Sequence, residues 1–144
     1  MLVSQILKSK SDAAVVTQPP GITVAHLAEI LSSRRIGAVV ISTDGKRVIG
    51  IVSERDVVRE LGRRGPSCLT DTVDSIMTAR VTTCARGDKA DDVLQRMTDG
   101  RFRHLPVVED GMMVGLISIG DVVKARLSEL SMEKDALEGM IKGF

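Results

Sequence analysis

Apolar residues recur with the period of an amphipathic helix at two places in the chain, 66 residues apart. Apolar positions spaced by three, four and seven residues form the stripe that a helix buries against a core. The first stripe is Val24, Leu27, Ala28 and Leu31, and the second is Ala90, Val93, Leu94 and Met97. Thr23 and Asp88 precede the stripes, and we expect them to cap the two helices. The pattern therefore predicts two equivalent helices and an internal repeat.

Short apolar runs of the length of strands follow each predicted helix. The runs directly after the helices are continuously apolar, as in strands that are covered on both faces. Asp44-Gly45 and Asp110-Gly111 then predict hairpin turns that lead into return strands. We also expect a short strand before each unit. The predicted strands are residues 14–16, 38–41 and 48–52 in the first copy, and residues near 81–82, 105–108 and 112–117 in the second.

A polar motif occurs at the end of each return strand, where a further helix begins. The segment Gly50-Ile51-Val52-Ser53-Glu54-Arg55-Asp56 returns as Gly115-Leu116-Ile117-Ser118-Ile119-Gly120-Asp121, 65 residues later. One interpretation is structural, because Ser-x-x-Asp is the pattern of a capping box. Such a cap contributes about 1 kcal/mol, which is enough to explain the motif.

The same turn can also bind a ligand. A helix N-terminus offers free N–H groups and a positive dipole end to a phosphate. Asp56 or Asp121 can accept hydrogen bonds from ribose hydroxyls, as an acidic residue does in dinucleotide folds. Arg55 can add positive charge beside a phosphate. The residues alone leave the cap and the ligand interpretations open.

The length of the chain limits how the two copies can be arranged. One copy of about 60–65 residues would bury only about 60% of its unfolded surface, so we expect the copies to pack together. The Gly- and Pro-containing segment 62–67 indicates the connection between them. We expect one repeat over residues 1–66, a second over 67–130, and a helical tail over 131–144 that serves docking or dimerisation, or is a solvated end.

The composition argues against several classes of protein. The chain has 20 basic and 19 acidic residues, whereas a nucleic-acid-binding domain usually carries a basic face. It has no Trp or Tyr and only two Phe, so any bound base is expected to lie between aliphatic side chains. No apolar stretch is long enough to span a membrane, and no export signal is apparent.

The residues that commonly carry chemistry are sparse. Cys68 and Cys84 are 16 residues apart, which fits reduced cytosolic thiols better than a metal site. No phosphate loop, dinucleotide fingerprint, zinc-protease or serine-hydrolase motif occurs. We therefore expect no enzyme activity, no metal and no catalytic cofactor.

In this order, and twice over, the segments described above resemble a tandem pair of CBS domains, the regulatory module named after cystathionine beta-synthase. The resemblance extends from about Val3 to about Leu130. The segments that carry it are Thr23-Val24 and residues 35–40, 50–56, 73–78, 103–108 and 115–121. It implies two β-α-β-β-α repeats of mixed α/β class, packed sheet to sheet about a pseudo-two-fold axis, with a cleft on each side. It also implies a disc-shaped homodimer.

The resemblance further implies ligands and their contacts. Members of the family bind AMP, ADP, ATP, S-adenosylmethionine or nicotinamide dinucleotides, so AMP, ATP or NAD(H) is expected here. By motif position, Asp56 and Asp121 would hold the ribose, with Ser53 and Ser118 beside the ribose or the phosphate. The adenine would lie against backbone near Thr17, Thr83, Gly37, Ala38, Val39, His104, Leu105 and Pro106.

The two copies differ in the residues that could contact phosphate. Gly120 stands where the first copy has Arg55, and Arg103-His104 stands where it has Gly37-Ala38. We therefore expect unequal sites, with Arg55 serving one and Arg103 or His104 the other. For His104 three roles stay open: a half-buried structural residue, a ligand contact, or a catalytic group. His26 is expected at the surface.

These observations favour a cytoplasmic, non-catalytic sensor that binds an adenine nucleotide and regulates an unidentified protein. The main alternative is a structural or protein-interaction module in which the Ser-x-x-Asp motifs are caps only. An unrecognised nucleotide hydrolase, with Glu54, Asp56 and His104 as its acid–base candidates, and a nucleic-acid-binding protein are the remaining alternatives.

Overall fold

The computed structural model describes residues 1–10 and 15–142. Within this part of the chain, helices and strands follow the order helix–strand–strand–helix twice. The elements are α1 Val3–Ser9, β1 Thr17–Gln18, α2 Val24–Arg34, β2 Ala38–Ile41, β3 Gly50–Ser53, α3 Glu54–Arg64, α4 Ala90–Gly100, β4 His104–Glu109, β5 Met112–Ser118 and α5 Ile119–Ile141. Short 3-10 helices at Gly65–Thr70 and Val73–Ser75 connect the copies. The predicted repeat and mixed α/β class are confirmed.

The two copies form separate small sheets. In the first, β2 pairs with β1 in parallel and with β3 antiparallel. In the second, β4 and β5 form an antiparallel pair, and a single parallel bridge between Cys84 and Val107 takes the place of a first strand. The strand predicted near residues 81–82 is therefore wrong in position. The first strand begins at Thr17, after the predicted 14–16, of which residue 14 lies outside the described residues.

The two hairpins differ more than their sequences indicate. Asp110 and Gly111 both have positive φ (52° and 77°), as a two-residue turn requires, and this prediction is confirmed. In the first hairpin the return strand starts at Gly50, two residues later than predicted. The Asp44 carboxylate accepts hydrogen bonds from the N–H groups of Lys46 and Arg47, which curls the chain into a longer loop. These bonds, together with one from Ser42, lower the pKa of Asp44 to about 2.

The helix ends also correct two predictions. Thr23 caps α2 by accepting a hydrogen bond from His26 N, as predicted. Asp88 does not cap α4, because its carboxylate accepts from Ala85 N and pairs with Arg96. The expected connection at residues 62–67 is partly helical, since α3 continues through Arg64 and ends at Gly65, where φ is 74°.

Two hydrophobic cores lie under the two copies, and each contains residues from the segment that precedes the other copy. Val3 and Ile6 of α1 pack with Leu105 and Ile117 of the second copy. Val73 and Ile76 pack with the first copy's helices and strands. The two stripes that predicted α2 and α4 supply buried residues to these cores, namely Val24, Leu27 and Leu31, and Ala90, Val93 and Met97. The chain therefore passes from one hydrophobic core to the other twice.

The last helix outlasts the repeat. α5 runs without a break from Ile119 to Ile141, and several of its apolar side chains are exposed, including Leu127, Leu137 and Ile141. Over residues 1–10 and 15–142, no helix is long and apolar enough to cross a bilayer.

Candidate functional site

A cavity of about 440 Å³ lies around the first Ser-x-x-Asp motif. Its walls come from the start of β2, the end of β3, the first turn of α3, the connection before the second copy, and the turn between α4 and β4. The lining residues are Gly37, Ala38, Ile51, Ser53, Glu54, Arg55, Asp56, Arg59, Thr78, Arg80, Val81, Thr82, Gly100, Arg101, Phe102, Arg103 and His104. We call this space the first cleft; both copies contribute to it.

Asp56 lies at the start of α3, where the capping box positions its carboxylate. Its Oδ2 accepts hydrogen bonds from Ser53 N at 2.8 Å and from Ser53 Oγ at 3.1 Å. In return, Asp56 N donates to Ser53 Oγ. The other oxygen, Oδ1, pairs with Arg59 at 3.0 Å, and that arginine side chain is 59% exposed. The capping interpretation is thus structurally correct, and it leaves Oδ1 held only by a solvent-exposed partner.

Five arginines line the first cleft against two carboxylates. Arg55, Arg80, Arg101 and Arg103 make no ion pair within 4.0 Å among the described residues. Arg55, Arg103 and His104, which were expected to divide between two sites, all line this one cavity. Unpaired guanidinium groups around a concave surface form a strong anion-binding environment.

The apolar part of the lining is not wholly aliphatic. Ile51 and Val81 supply aliphatic surface, as expected, but Phe102 also lines the cavity. Gly37, just before β2, lies close to His104: a Cβ there would meet the His104 ring at 3.1 Å, so a side chain would require the ring to shift slightly. The lining of the cavity therefore includes one aromatic residue beside the aliphatic ones.

His104 is half-buried at the boundary of the two copies. It starts β4 and pairs with Ser118, while its ring packs over Gly37 of the first copy. Burial lowers the pKa of His104, against the opposing charges of Asp121 and Glu54. The imidazole is therefore held neutral near pH 7, and it adds no positive charge to the cavity.

The second Ser-x-x-Asp motif is built like the first but is occupied differently. Ser118 caps α5 by accepting from Asp121 N at 3.1 Å, and Asp121 Oδ2 accepts from Ser118 N at 2.9 Å. The same Oδ2 pairs with Lys10 Nζ at 2.8 Å, and this ammonium also donates to Leu116 O at 2.7 Å. Neither Ser118 nor Asp121 lines the first cleft.

The remaining predicted residues lie outside the first cleft. Val39 and Leu105 are buried in the two cores, so only their backbone could face a ligand. Pro106 is buried, and its carbonyl accepts from Cys84 N. Thr17 pairs with Val40 in β1, and the Thr83 carbonyl accepts from Arg96. Seven of the fourteen predicted residues thus share one cavity: Gly37, Ala38, Ser53, Arg55, Asp56, Arg103 and His104.

Sequence reasoning missed three of the cavity's arginines. Arg59 stands one helical turn after Asp56, a spacing that places both side chains on one face of α3. Arg101 is two residues before Arg103, and it occupies a left-handed position (φ 57°) at the end of α4. Arg80 follows the segment 73–79, which repeats residues 3–9 of the chain. The spacing of Arg59 from Asp56 and the position of Arg80 after the repeated segment were visible in the sequence.

The cysteines and the metal-binding residue types show no sign of a reactive centre in the described part of the chain. Cys68 and Cys84 are free and buried. Burial raises the pKa of the Cys84 thiol to about 11, which keeps it protonated and unreactive. No three His, Cys, Asp or Glu side chains of the described residues are grouped to hold a metal ion.

Two sheet-and-helix repeats that share one cleft define a paired-repeat module, and the comparisons identify its family. The CBS domain family model matches residues 11–63 and 73–128, and the chain belongs to this family. The fold is similar to that of the CBS-domain protein ATU1752 from Agrobacterium tumefaciens, with a TM-score of 0.83 and 40% identity over 88% of this chain and 99% of that one.

Two other solved structures contain ligands. The CBS domain protein PAE2072 from Pyrobaculum aerophilum, complexed with AMP, is 28% identical over 92% of this chain and 99% of its own, with a TM-score of 0.76. The CBS domain pair of protein MJ0100, in complex with 5-methylthioadenosine and S-adenosyl-L-methionine, is 25% identical over 90% and 98%, with a TM-score of 0.76. Related pairs therefore bind adenosine-type ligands.

Proposed function

We propose that this protein is a non-catalytic regulatory module that binds an anionic adenine nucleotide in the first cleft. The observation that carries the proposal is the meeting, in one cavity, of the Asp56 carboxylate, four unpaired arginines and an apolar slot. Related pairs with AMP or S-adenosylmethionine bound support the adenosine part of this assignment.

The size of the cleft suits a nucleotide. A volume of about 440 Å³ lies within the range of roughly 300–1,000 Å³ that is typical of small-molecule sites. Apolar lining from Ile51, Val81 and Phe102 is available to the faces of a base. Ribose hydroxyls can replace Arg59 on Asp56 Oδ1 at small cost, because an exposed ion pair contributes only about 0–1 kcal/mol.

The charge of the lining favours phosphorylated ligands. Five arginines outnumber Glu54 and Asp56, so the cleft carries excess positive charge. Arginines bind phosphate oxygens through bidentate, charge-assisted hydrogen bonds. We expect ATP to bind more tightly than AMP or NAD(H), and all three to bind more tightly than adenosine. S-adenosylmethionine carries a sulfonium cation and is expected to bind weakly.

The structural alternative explains the same contacts by helix capping alone. Both capping boxes are formed, so Ser53, Asp56, Ser118 and Asp121 stabilise helices with or without a ligand. The two roles are compatible at Asp56, because the cap uses Oδ2 and leaves Oδ1 to Arg59. Only a binding measurement separates a cap that also binds from a cap alone.

The test is isothermal titration of ATP, AMP, NAD+, adenosine and S-adenosylmethionine into the wild-type protein and into Asp56→Asn. The amide keeps an oxygen for Ser53 N but loses the charge that ribose hydroxyls bind. A hydrogen bond to a charged group contributes about 1.5–3 kcal/mol, so ATP affinity should fall about 10- to 100-fold. Asp135→Asn, at an exposed position of α5, is the control and should bind like the wild type.

Three outcomes would contradict the proposal. No heat or thermal shift with any adenine ligand at millimolar concentration would remove the binding function. Loss of stability in Asp56→Asn with unchanged ATP affinity would leave the capping role alone. ATP turnover that Asp56→Asn abolishes would revive the hydrolase alternative.

We further propose that the module acts as a homodimer in the cytoplasm on a regulated partner protein. Val58 and Val123 occupy equivalent positions after the two motifs, and both are exposed (66% and 42%), as are Leu127 and Leu130. The same apolar position, presented once by each copy, suits an isologous interface with a second copy. Two free buried cysteines fit a reducing compartment. Light scattering after gel filtration measures the assembly.

A further inference from the structure

The last helix continues beyond the part that packs on the rest of the molecule. Its buried residues, Val122 and Ala125, both lie in its first two turns, whereas α5 runs on to Ile141. Residues 131–138 are all exposed. A helical segment of this length is only marginally stable in water when nothing packs against it. We therefore expect a further surface to cover the end of α5.

The exposed apolar side chains of α5 follow a seven-residue period. They alternate at spacings of four and three residues, which is the a/d pattern of a coiled coil. Five apolar residues and one lysine occupy these positions, and the apolar five are exposed. We call this stripe the α5 seam; it consists of Val123, Leu127, Leu130, Lys134, Leu137 and Ile141. It lies on a different face of the helix from Val122 and Ala125, so it is open to a second helix.

The charges in and beside the seam disfavour a parallel pairing with a second copy. Equivalent core positions meet in a parallel pair, so Lys134 would face the partner's Lys134. Glu133 and Glu138 flank the seam on its two sides, and a parallel pair would bring one against the other across the helices. Both contacts join like charges.

An antiparallel pairing matches every apolar position of the seam. With the two-fold axis beside residue 132, each seam residue of one chain meets a seam residue of the other. The layers are Val123 with Ile141, Leu127 with Leu137 and Leu130 with Lys134, and each layer is formed twice. A pattern that is complementary to its own reversed copy is what an isologous two-fold interface requires.

The same register brings opposite charges together. Lys124, which has no ion pair within 4.0 Å among residues 1–10 and 15–142, comes opposite the partner's Glu138. Within its own chain Glu138 has only a long, exposed contact to Lys134, at 3.8 Å. The aliphatic stem of Lys134 can cover the partner's Leu130 while its ammonium reaches the partner's Glu133.

The polar residues of the tail do not suit a lipid surface. A helix that lies on a membrane usually carries Lys and Arg on its polar face. Here the residues around the seam include Glu133, Asp135 and Glu138. The charges therefore favour a second copy of the chain over an anionic lipid headgroup.

We propose that the α5 seam is an interface with a second copy of this chain, in which the two last helices pair antiparallel about residue 132. The proposal rests on the proposed homodimer, and it adds the surface that holds the two chains together and the direction of the helices. Nucleotide binding in the first cleft does not depend on it.

The first test places a charge in the seam and measures mass by light scattering after gel filtration over a series of protein concentrations. Leu137→Glu buries a carboxylate against Leu127 in two layers and should raise the dissociation constant of the dimer at least about 100-fold. Met132→Glu is the matched control, because Met132 is equally exposed (57% against 60%) but lies on the face of α5 opposite the seam. It should remain a dimer.

The second test exchanges the charges of one predicted contact between the chains. Lys124→Glu and Glu138→Lys should each weaken the dimer about 3- to 30-fold, since the contact is formed twice. The double variant should restore the dimer, because the exchanged pair is again of opposite charge. Lys124 and Glu138 lie almost four turns apart in one helix, so only a contact between chains explains a restoration.

The outcomes separate the seam from the functions proposed above. A dimer that Leu137→Glu leaves intact, or that Met132→Glu weakens equally, would overturn the seam and keep the homodimer. Failure of the double variant to restore the dimer would overturn the antiparallel register. A monomeric wild type would reject both the homodimer and the seam. ATP titration of Leu137→Glu should match the wild type, which shows that the variant is folded and that the first cleft is intact.

Discussion

The two Ser-x-x-Asp turns can be compared atom by atom, because the chain builds both with the same backbone. Ser53 and Ser118 have nearly the same φ (−107° and −101°), and each caps the helix that follows. The first N–H of each helix donates to the carbonyl before the opposite strand: Glu54 N to Gly37 O at 2.9 Å, and Ile119 N to Arg103 O at 2.8 Å. The common part of the motif is therefore structural.

The residues around the two turns differ. Asp56 lies in a cavity with five arginines, whereas Asp121 is paired with Lys10. Gly120 occupies the position of Arg55 in the second copy, so the second turn lacks this arginine. The comparison teaches that the motif specifies a helix start and a positioned carboxylate, while residues outside the motif decide whether that carboxylate is open to a ligand.

The first and largest test asks whether the two copies fold as one unit. Ile6 and Ile76 are buried and occupy equivalent positions, but each packs in the core of the other copy. Ile6→Ala and Ile76→Ala should each lower the free energy of unfolding by about 2–5 kcal/mol, through lost burial and a residual cavity. Urea unfolding followed by circular dichroism measures this, because the chain lacks Trp and Tyr.

If the copies are coupled through these crossings, each variant should still unfold in a single transition at lower urea concentration. Two separated transitions would show that the two cores unfold independently and would contradict the coupling of the two copies. Glu29→Ala, at an exposed position of α2, is the control and should change the unfolding free energy by less than about 0.5 kcal/mol.

The sequence was most informative where a pattern was local. The stripes at Val24 and Ala90 predicted α2 and α4 because burial on one helical face has a fixed period. The Asp110-Gly111 turn was predictable because two positive φ angles favour those residue types. The seven predicted residues that share the first cleft all lie at motif positions, so the repeat and the family resemblance were enough to name them.

The missed features depend on contacts between distant parts of the chain. Arg80 and Lys10 look alike in sequence, and only the packing of their segments shows that one faces a cavity and the other a carboxylate. The first hairpin loop was mispredicted because Asp44 has enough local acceptors to replace strand pairing with its own hydrogen bonds. Arg55 and Arg103 were assigned to different sites because the crossing of the chain was not visible.

The second test removes the two cap hydroxyls and separates their contribution to stability from their contribution to ligand binding. Ser53→Ala and Ser118→Ala each remove an acceptor for the third helical N–H and should cost about 0.5–2 kcal/mol of unfolding free energy. The losses should be similar, because the caps are alike. ATP affinity should fall only in Ser53→Ala, which loses a hydrogen bond to Asp56 Oδ2 in the first cleft.

Titration calorimetry and thermal unfolding of the same two variants provide the measurements. Thr23→Ala is the matched control, since it removes the cap of α2 outside the cavity and should change stability alone. A fall in ATP affinity for Ser118→Ala as large as that for Ser53→Ala would mean that the two clefts bind alike, and the comparison would fail.

The third and smallest effect concerns His104, which lines the first cleft but is close enough to Asp121 to be influenced by its charge. Burial lowers the pKa of His104 below its ordinary 6.5, with Asp121 and Glu54 opposing and Lys10 and Arg103 reinforcing the shift. Below pH 6.5 the unfolded chain then binds more protons than the folded one. The contribution of His104 to stability is therefore complete above pH 6.5 and falls as the pH decreases towards the pKa of the folded state.

His104→Gln should flatten this pH dependence between pH 7 and pH 5 in thermal unfolding, whereas His26→Gln, at an exposed position of α2, should leave it unchanged. Saturating ATP should reduce the pH dependence of the wild type, because phosphate oxygens beside the ring favour the imidazolium. An unchanged slope in His104→Gln would mean that the ring is not buried between the two copies as the structure places it.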